Sequence, residues 1–350
     1  MLSSSLHTLL SVLVLAVLSV SAKPGLSVAV SGPASVTGVQ NLKVVATITN
    51  TGDETLKILN DPRGLLSKRP ANKFTITSSH GGRPAFHGVK VKYSPTVAVQ
   101  AGDFTVLPPG SSIDVSHDLS EAYNFTSSGV GAYEFEADNL FYIVNDNKEV
   151  STLWANQAQA YTASVAGNLA IARSEPFGGL TKRATFIGCT AARQTLINTA
   201  AASAQTYAAG ALSYVTSHTT ASTRFTTWFG SFTTARRSTI LSHFTKISGS
   251  SISGFTFDCS CTDTSYAYVY PSTFGKIYLC GAFWNAPNTG TDSKAGTLVH
   301  ETSHFTANGG TNDYAYGQSA AKSLATSNPA QAVMNADSHE YFAENNPVLA

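Results

Sequence analysis

Residues 300–304 read His-Glu-Thr-Ser-His, two imidazoles four positions apart with a carboxylate beside the first. A helix turns once every 3.6 residues, so positions i and i+4 lie on one face. His300 and His304 can then both reach one metal ion at about 2.0–2.1 Å. Glu301 stands next to the first histidine. It can take a proton from a water attacking a peptide carbonyl and pass it to the leaving amine. The pattern therefore predicts metal-assisted hydrolysis. A catalytic zinc usually has three protein ligands, so one is still missing. The longer pattern HExxHxxGxxH does not continue here, because Gly310 stands where its third histidine would be. A glutamate further down the chain, Glu340, is one candidate, and Asp313 is the local one. Gly309-Gly310 can end the helix on a left-handed residue and turn the chain back, bringing Asp313 toward the metal. An aspartate oxygen binds zinc at about 2.0–2.2 Å. As plain structure, Asp313 would serve equally well as the N-cap of a following helix.

The elements around these residues must hold them still. In "AGTLVHETSHF", Leu298, Val299 and Phe305 can pack the motif helix into a core. Upstream, "YAYVYPSTFGKIYLCGAFW" alternates aromatic and small residues about a Pro-Ser-Thr-Phe-Gly turn and predicts a β-hairpin. The hairpin edge near Tyr266 to Tyr270 can align a substrate as an added strand. The Ala-rich stretch from about 190 to 218 predicts a long helix with Leu196, Ala200, Ala204, Tyr207, Ala211 and Tyr214 on its packed stripe. Phe225, Trp228, Phe232, Ile240 and Phe244 predict one more amphipathic helix. Helical segments are also expected from Tyr316 to Thr326 and over 330–343.

The first half has another character. Residues 23 to about 175 hold no cysteine and alternate as strands do, with Leu42, Val44, Ala46 and Ile48 on one face before an Asn-Thr-Gly-Asp turn. Several short strands with Gly, Pro and Asn turns predict a β-sandwich. Asn124-Phe125-Thr126 is a glycosylation sequon, so Asn124 is expected at the surface. Leu9 to Leu18 is a short apolar run ending in Val20-Ser21-Ala22, which predicts a signal peptide over 1–22 and a secreted, extracellular product. Lys182-Arg183 follows Gly178-Gly179 at the change in composition and predicts a processing site. The expected plan is thus signal peptide 1–22, propeptide 23–183 and catalytic domain 184–350.

The four cysteines, Cys189, Cys259, Cys261 and Cys280, all follow that boundary, and an even number in an exported chain predicts disulfides. Cys259 and Cys261 are too close for an easy local bridge and should go to different partners. The N-terminal region, without a cysteine, cannot silence a metal with a thiolate, so latency needs another ligand or occlusion. A net charge of +1 gives no reason to expect nucleic acid or an anionic membrane as partner. Charged residues make up 12% of the chain, about half the usual share. Only Lys246, Lys276, Lys294 and Lys322 follow Arg183, against nine lysines before it.

"HETSH" followed by "GTNDYAYG" resembles the signature of the aspzincins, the deuterolysin-like zinc endopeptidases. "TTWFGS", "YAYVYP", "YLCGAFW" and "NADSHEYFAENNP" are similar to their lysine-specific fungal members, and the resemblance spans residues 185–350. The first half resembles the propeptide of that family with fewer specific matches. The resemblance implies an α+β protein: a mainly helical, zincin-like catalytic domain with a small hairpin or sheet, behind an all-β, sandwich-like propeptide. It implies one Zn2+ on His300, His304 and Asp313, Glu301 as general base, and Tyr316 as donor to the developing oxyanion, for which a neutral phenol is suited. It implies the disulfides Cys189–Cys259 and Cys261–Cys280. It places Asp337 and Glu340 in the pocket for the residue after the cut, where two carboxylates on one helical face can bind an ammonium. Substrates would be lysine-containing proteins or peptides cut on the N-terminal side of lysine, and the mature enzyme a monomer.

Overall fold

The computed structural model describes residues 23–157, 159–171 and 183–350. The expected signal peptide and Lys182 of the dibasic pair lie outside the described residues. The described chain is α+β, with nine α-helices and several sheets. None of its helices is long and apolar enough to cross a membrane.

Residues 23–171 are built mostly from strands. Leu26–Ser31, Lys43–Asn50 and Ser112–Asp118 pair antiparallel, with Val28 opposite Ile48 and Ala46 opposite Val115. Period-two alternation sends Val44, Ala46 and Ile48 inward, as their spacing predicts, while Thr47 turns out to donate to Asp114 Oδ1 at 2.6 Å. A second sheet runs through Phe74–Ser78, Gly131–Ala137 and Tyr161–Ala166. Phe74, Ile76, Tyr133 and Phe135 from this sheet meet Val44, Ala46 and Ile48 from the first in one apolar core. Asn124 falls in the short strand Tyr123–Asn124 and is half-buried rather than fully exposed. Its side-chain oxygen accepts the Thr126 N–H at 2.9 Å.

The C-terminal half has its own core. The Ala191–Ser217 helix runs through it, capped by Thr190, whose hydroxyl accepts the Arg193 N–H. Its buried stripe is Ile197, Ala200, Ala201, Ala204, Ala208, Ala211 and Val215: Ala200, Ala204 and Ala211 fall where expected, while Ile197, Ala208 and Val215 take the places expected of Leu196, Tyr207 and Tyr214, and Leu196 is exposed. Alanine on every side gives periodicity little to select, so the neighbouring helices set the buried face. The expected single helix through Trp228 and Phe244 is two, Thr223–Phe229 and Thr234–Gly249, the second capped by Thr233. Thr185–Ile187, Thr256–Asp258 and Lys276–Leu279 run parallel, and Ala267–Val269 pairs antiparallel with Lys276–Leu279 as the predicted hairpin. Cys189 is bonded to Cys259 and Cys261 to Cys280, the pairs that the resemblance implies. The first closes a sequence separation of 70 residues, and a bridge of that kind stabilises by about 2–4 kcal/mol.

The sheet does not end with that hairpin. Its outermost strand is Lys90–Lys92, from the N-terminal half, antiparallel to Ala267–Val269.

Candidate active site

The motif helix spans Lys294–His304 and every one of its residues is buried. Ser293 caps it by accepting the Gly296 N–H at 2.9 Å. Glu344 in turn accepts from Ser293 N–H at 2.9 Å and from its hydroxyl at 2.7 Å. The helix carrying Glu344, Ala336–Glu344, crosses close to Gly296, where an added Cβ would stand 2.0 Å from the Glu344 carboxylate. Glycine at 296 is what lets these two helices approach.

After His304 the chain leaves the helix, and Gly310 takes the left-handed conformation with φ 57°. Thr311 N–H then bonds back to Ser303 O at 3.2 Å. The reversal brings Asp313 Oδ1 to 3.1 Å from His300 Nε2 and 3.2 Å from His304 Nε2. Tetrahedral ligands at 2.0–2.1 Å from one ion stand about 3.3 Å apart. The three atoms are therefore spaced as zinc ligands would be. All three are buried without a hydrogen-bond partner of their own, which is costly unless a cation completes them. His304 Nδ1 lies 2.9 Å from Thr311 O, which fixes the proton on Nδ1 and turns the Nε2 lone pair toward the centre. His300 Nδ1 lies 2.8 Å from Asp337 Oδ1, close enough for that carboxylate to orient the ring. Burial works against charge on Asp313, but His304 and His300 outweigh it and hold its carboxyl well below the usual carboxylate range. Glu340 is not brought in as the third ligand. It lies on the other side of His300, 3.3 Å from Nδ1.

Glu301 is wholly buried beside this centre, and both its carboxylate oxygens lack a partner. Burial pushes its carboxyl up to about 8. Tyr316 lies beyond Asp313, its ring under the Arg63 guanidinium at 4.3 Å. Asn335 fixes the intervening loop, its side-chain oxygen accepting Tyr314 N–H at 3.0 Å and Ala315 N–H at 3.1 Å. Asp337 Oδ2 accepts the Gly317 N–H at 2.6 Å.

Asp337 and Glu340 are one turn apart and both are at most 1% exposed. Between them sits the ammonium of Lys92, 2.6 Å from Glu340 Oε2 and 3.6 Å from Asp337 Oδ1. Burial lowers the basicity of that ammonium, but the carboxylates of Asp337 and Glu340 outweigh it and hold it well above the usual lysine value. His339 faces away, with its Nδ1 2.8 Å from Asn335 O and its Nε2 2.9 Å from His243 Nδ1, in a structural role.

Sequence reasoning missed four members of this arrangement. Asp292 is a third carboxylate near the pocket, 3.5 Å from Lys92 Nζ and accepting from Tyr341 OH at 2.6 Å. Asn335 and Glu344 position the loop and the motif helix. Lys92 fills the pocket. The signals were weak: Asn335 stands just before an acidic helical segment and Asp292 just before a serine cap.

A buried pair of histidines, a carboxylate completing the triangle and a second carboxylate beside it are what a metal-dependent hydrolase requires. Comparison with known proteins agrees. A family model described as lysine-specific metallo-endopeptidase, an aspzincin model, matches residues 214–344. The chain is 58% identical over 334 residues to a peptidyl-Lys metalloendopeptidase of Grifola frondosa, covering 94% of this chain and 95% of that one. It is 53% identical over 352 residues to a peptidyl-Lys metalloendopeptidase of Armillaria mellea, covering 99% of each. A solved chain described as a zinc peptidase from Grifola frondosa is 60% identical, with TM-score 0.46, over 46% of this chain and 100% of that one. The chain belongs to the aspzincin family of metallo-endopeptidases.

Proposed function

We propose that the chain is a secreted zinc endopeptidase that hydrolyses peptide bonds on the N-terminal side of lysine. It is made with a signal peptide over 1–22 and a sandwich-like propeptide over 23–183 ahead of the catalytic domain, 184–350, and is a monomer when mature. One observation carries the reading. Asp337 touches His300 with Oδ1 while the same carboxylate lines the ammonium pocket, so the pocket and the candidate metal centre share a side chain. A lysine bound there stands directly beside the bond at the centre.

The ion is assigned to His300, His304 and Asp313, a nitrogen and oxygen set suited to zinc. Zinc held there supplies Lewis acidity to the peptide carbonyl and makes a water nucleophilic near neutral pH. Glu301 takes a proton from the attacking water and hands it to the nitrogen of the departing lysine residue. Burial favours the neutral form of the Glu301 carboxyl, which suits it to hold the proton between the two steps. Asp337 and Glu340 fix the substrate by its ammonium, and Tyr316 donates a neutral hydrogen bond to the carbonyl oxygen as charge develops on it.

Cleavage mapping of the secreted enzyme on an unfolded protein tests the reading. New N-termini should be lysine, activity should vanish with a chelator and return with zinc. Frequent cuts elsewhere would remove the lysine assignment, and indifference to chelation would remove the metal. Tyr316→Phe should lower kcat by about 10²-fold, the usual effect of losing one oxyanion donor, with little change in KM. A change confined to KM would make Tyr316 a binding residue instead.

A further inference from the structure

The strand Lys90–Lys92 lies against the Ala267–Val269 edge of the C-terminal sheet, close to the motif helix. It runs antiparallel to Ala267–Val269, with Lys92 opposite Ala267, Val91 opposite Tyr268 and Lys90 opposite Val269. Tyr266 N–H extends the pairing by donating to Lys92 O at 2.9 Å. This is the way an extended peptide adds to an enzyme's edge strand. The side chain of Lys92 enters the Asp337–Glu340 pocket, with Asp292 as a third carboxylate and the Tyr266 ring 5.0 Å from the ammonium. The Tyr316 hydroxyl donates to Val91 O at 2.9 Å. Val91 O belongs to the peptide bond that joins Val91 to Lys92. Two independent contacts therefore agree on one register: the lysine pocket holds the residue after the bond, and the proposed oxyanion donor holds the carbonyl of the same bond.

A lysine buried merely to tie two parts of the protein together would have no reason to meet both conditions. Strand pairing turns its neighbour's carbonyl away from Ala267–Val269, but nothing in that pairing requires a phenol there to receive it. Lys90 adds to the alignment from the other side, with its ammonium on Thr311 O and on Asn312 Oδ1, flanking Asp313 in sequence. Val91 packs with Ala71 and Val89 against Tyr268 and Tyr270.

We propose that Lys90–Lys92 is a tethered substrate mimic, with Val91–Lys92 in the place of the bond to be cut, so that the N-terminal region keeps the enzyme latent with a lysine of its own. The inference rests on the function proposed above. It supplies the occlusion that a region without cysteine needs, and it sets the order of subsites: Val91 marks the residue before the cut and Lys90 the one before that. A ligand linked to its own site acts at an effective concentration in the millimolar range, enough to exclude a dilute peptide.

The test uses the intact, zinc-loaded chain carrying Glu301→Gln, so that nothing is cut. A fluorescent Gly-Val-Lys-Tyr peptide is titrated and its anisotropy followed, with and without Lys92→Ala. Lys92→Met, which keeps the length and packing of the side chain, replaces alanine if thermal melting shows that alanine unfolds the chain. Removing Lys92 should tighten peptide binding at least tenfold. Equal binding in the two chains, or none in either, overturns the proposal. A second arm restores Glu301 and compares uncut Lys92→Ala and wild-type chains on an unfolded protein. Cleavage before lysine that is at least tenfold faster in the variant supports the mimic. Equal cleavage before lysine by both defeats the mimic alone, whereas cleavage at other residues defeats the proposed function itself.

Discussion

Glu301→Gln is expected to leave zinc bound at one equivalent and to lower kcat by about 10²–10⁴-fold, the range that one general acid–base group supplies. Glutamine matches glutamate in size, and none of the three proposed ligands is touched. Both oxygens of Glu301 lie without partners in a fully buried position, so the substitution breaks no bond that the fold depends on. The expected split is therefore clean: metal content, read by atomic absorption, is unchanged while turnover is lost. A variant within tenfold of wild type would place the proton transfer on another group. A variant that loses its zinc would make Glu301 a structural support for the centre.

The second large effect separates the two pocket carboxylates. Glu340→Gln should lower kcat/KM for lysine substrates by about 10²–10⁴-fold, since removing one partner of a buried ion pair costs about 3–5 kcal/mol. Zinc affinity should stay close to wild type. Asp337→Asn should show a comparable loss and should also weaken zinc by about 10–100-fold, the usual result of losing the group that orients a ligating histidine. The difference follows from position. Asp337 Oδ1 is 2.8 Å from His300 Nδ1 and Glu340 Oε2 is 3.3 Å from it. Asp337 also holds the Gly317 N–H next to Tyr316. Competition with a chromophoric chelator reads the zinc affinity. Equal zinc affinity in both variants would remove the orienting role of Asp337, and the reverse order would assign it to Glu340.

How far the site could be read in advance depended on how local each part is. His300, His304 and Asp313 fall within one helical turn and one glycine reversal, and helix spacing plus the turn chemistry of Gly310 brings them together. Asp337 and Glu340 share a helical face for the same reason. Asn335, Glu344 and Asp292 act between elements far apart in sequence, and no periodicity marks them. The strands of the first half were legible because Val44, Ala46 and Ile48 recur at every second position, although Val45 on the opposite face is apolar too. The long alanine-rich helix was legible as a helix and its facing only in part: Ala200, Ala204 and Ala211 are buried as expected, Leu196 is not, because alanine leaves the choice to its neighbours. Lys90–Lys92 is three residues long, and no spacing or motif singles it out in the sequence. Only the edge it meets gives it meaning.

That edge has a consequence for the protein as a material. The rail on which a substrate is proposed to lie is a strand side whose N–H and C=O groups are satisfied by Lys90–Lys92. Whenever those residues leave, the sheet has an open border, and open borders invite other chains to pair and aggregate. The borrowed strand thus covers a margin that would otherwise lie open. The surface on which a substrate is proposed to lie is the same one that would make the protein clump.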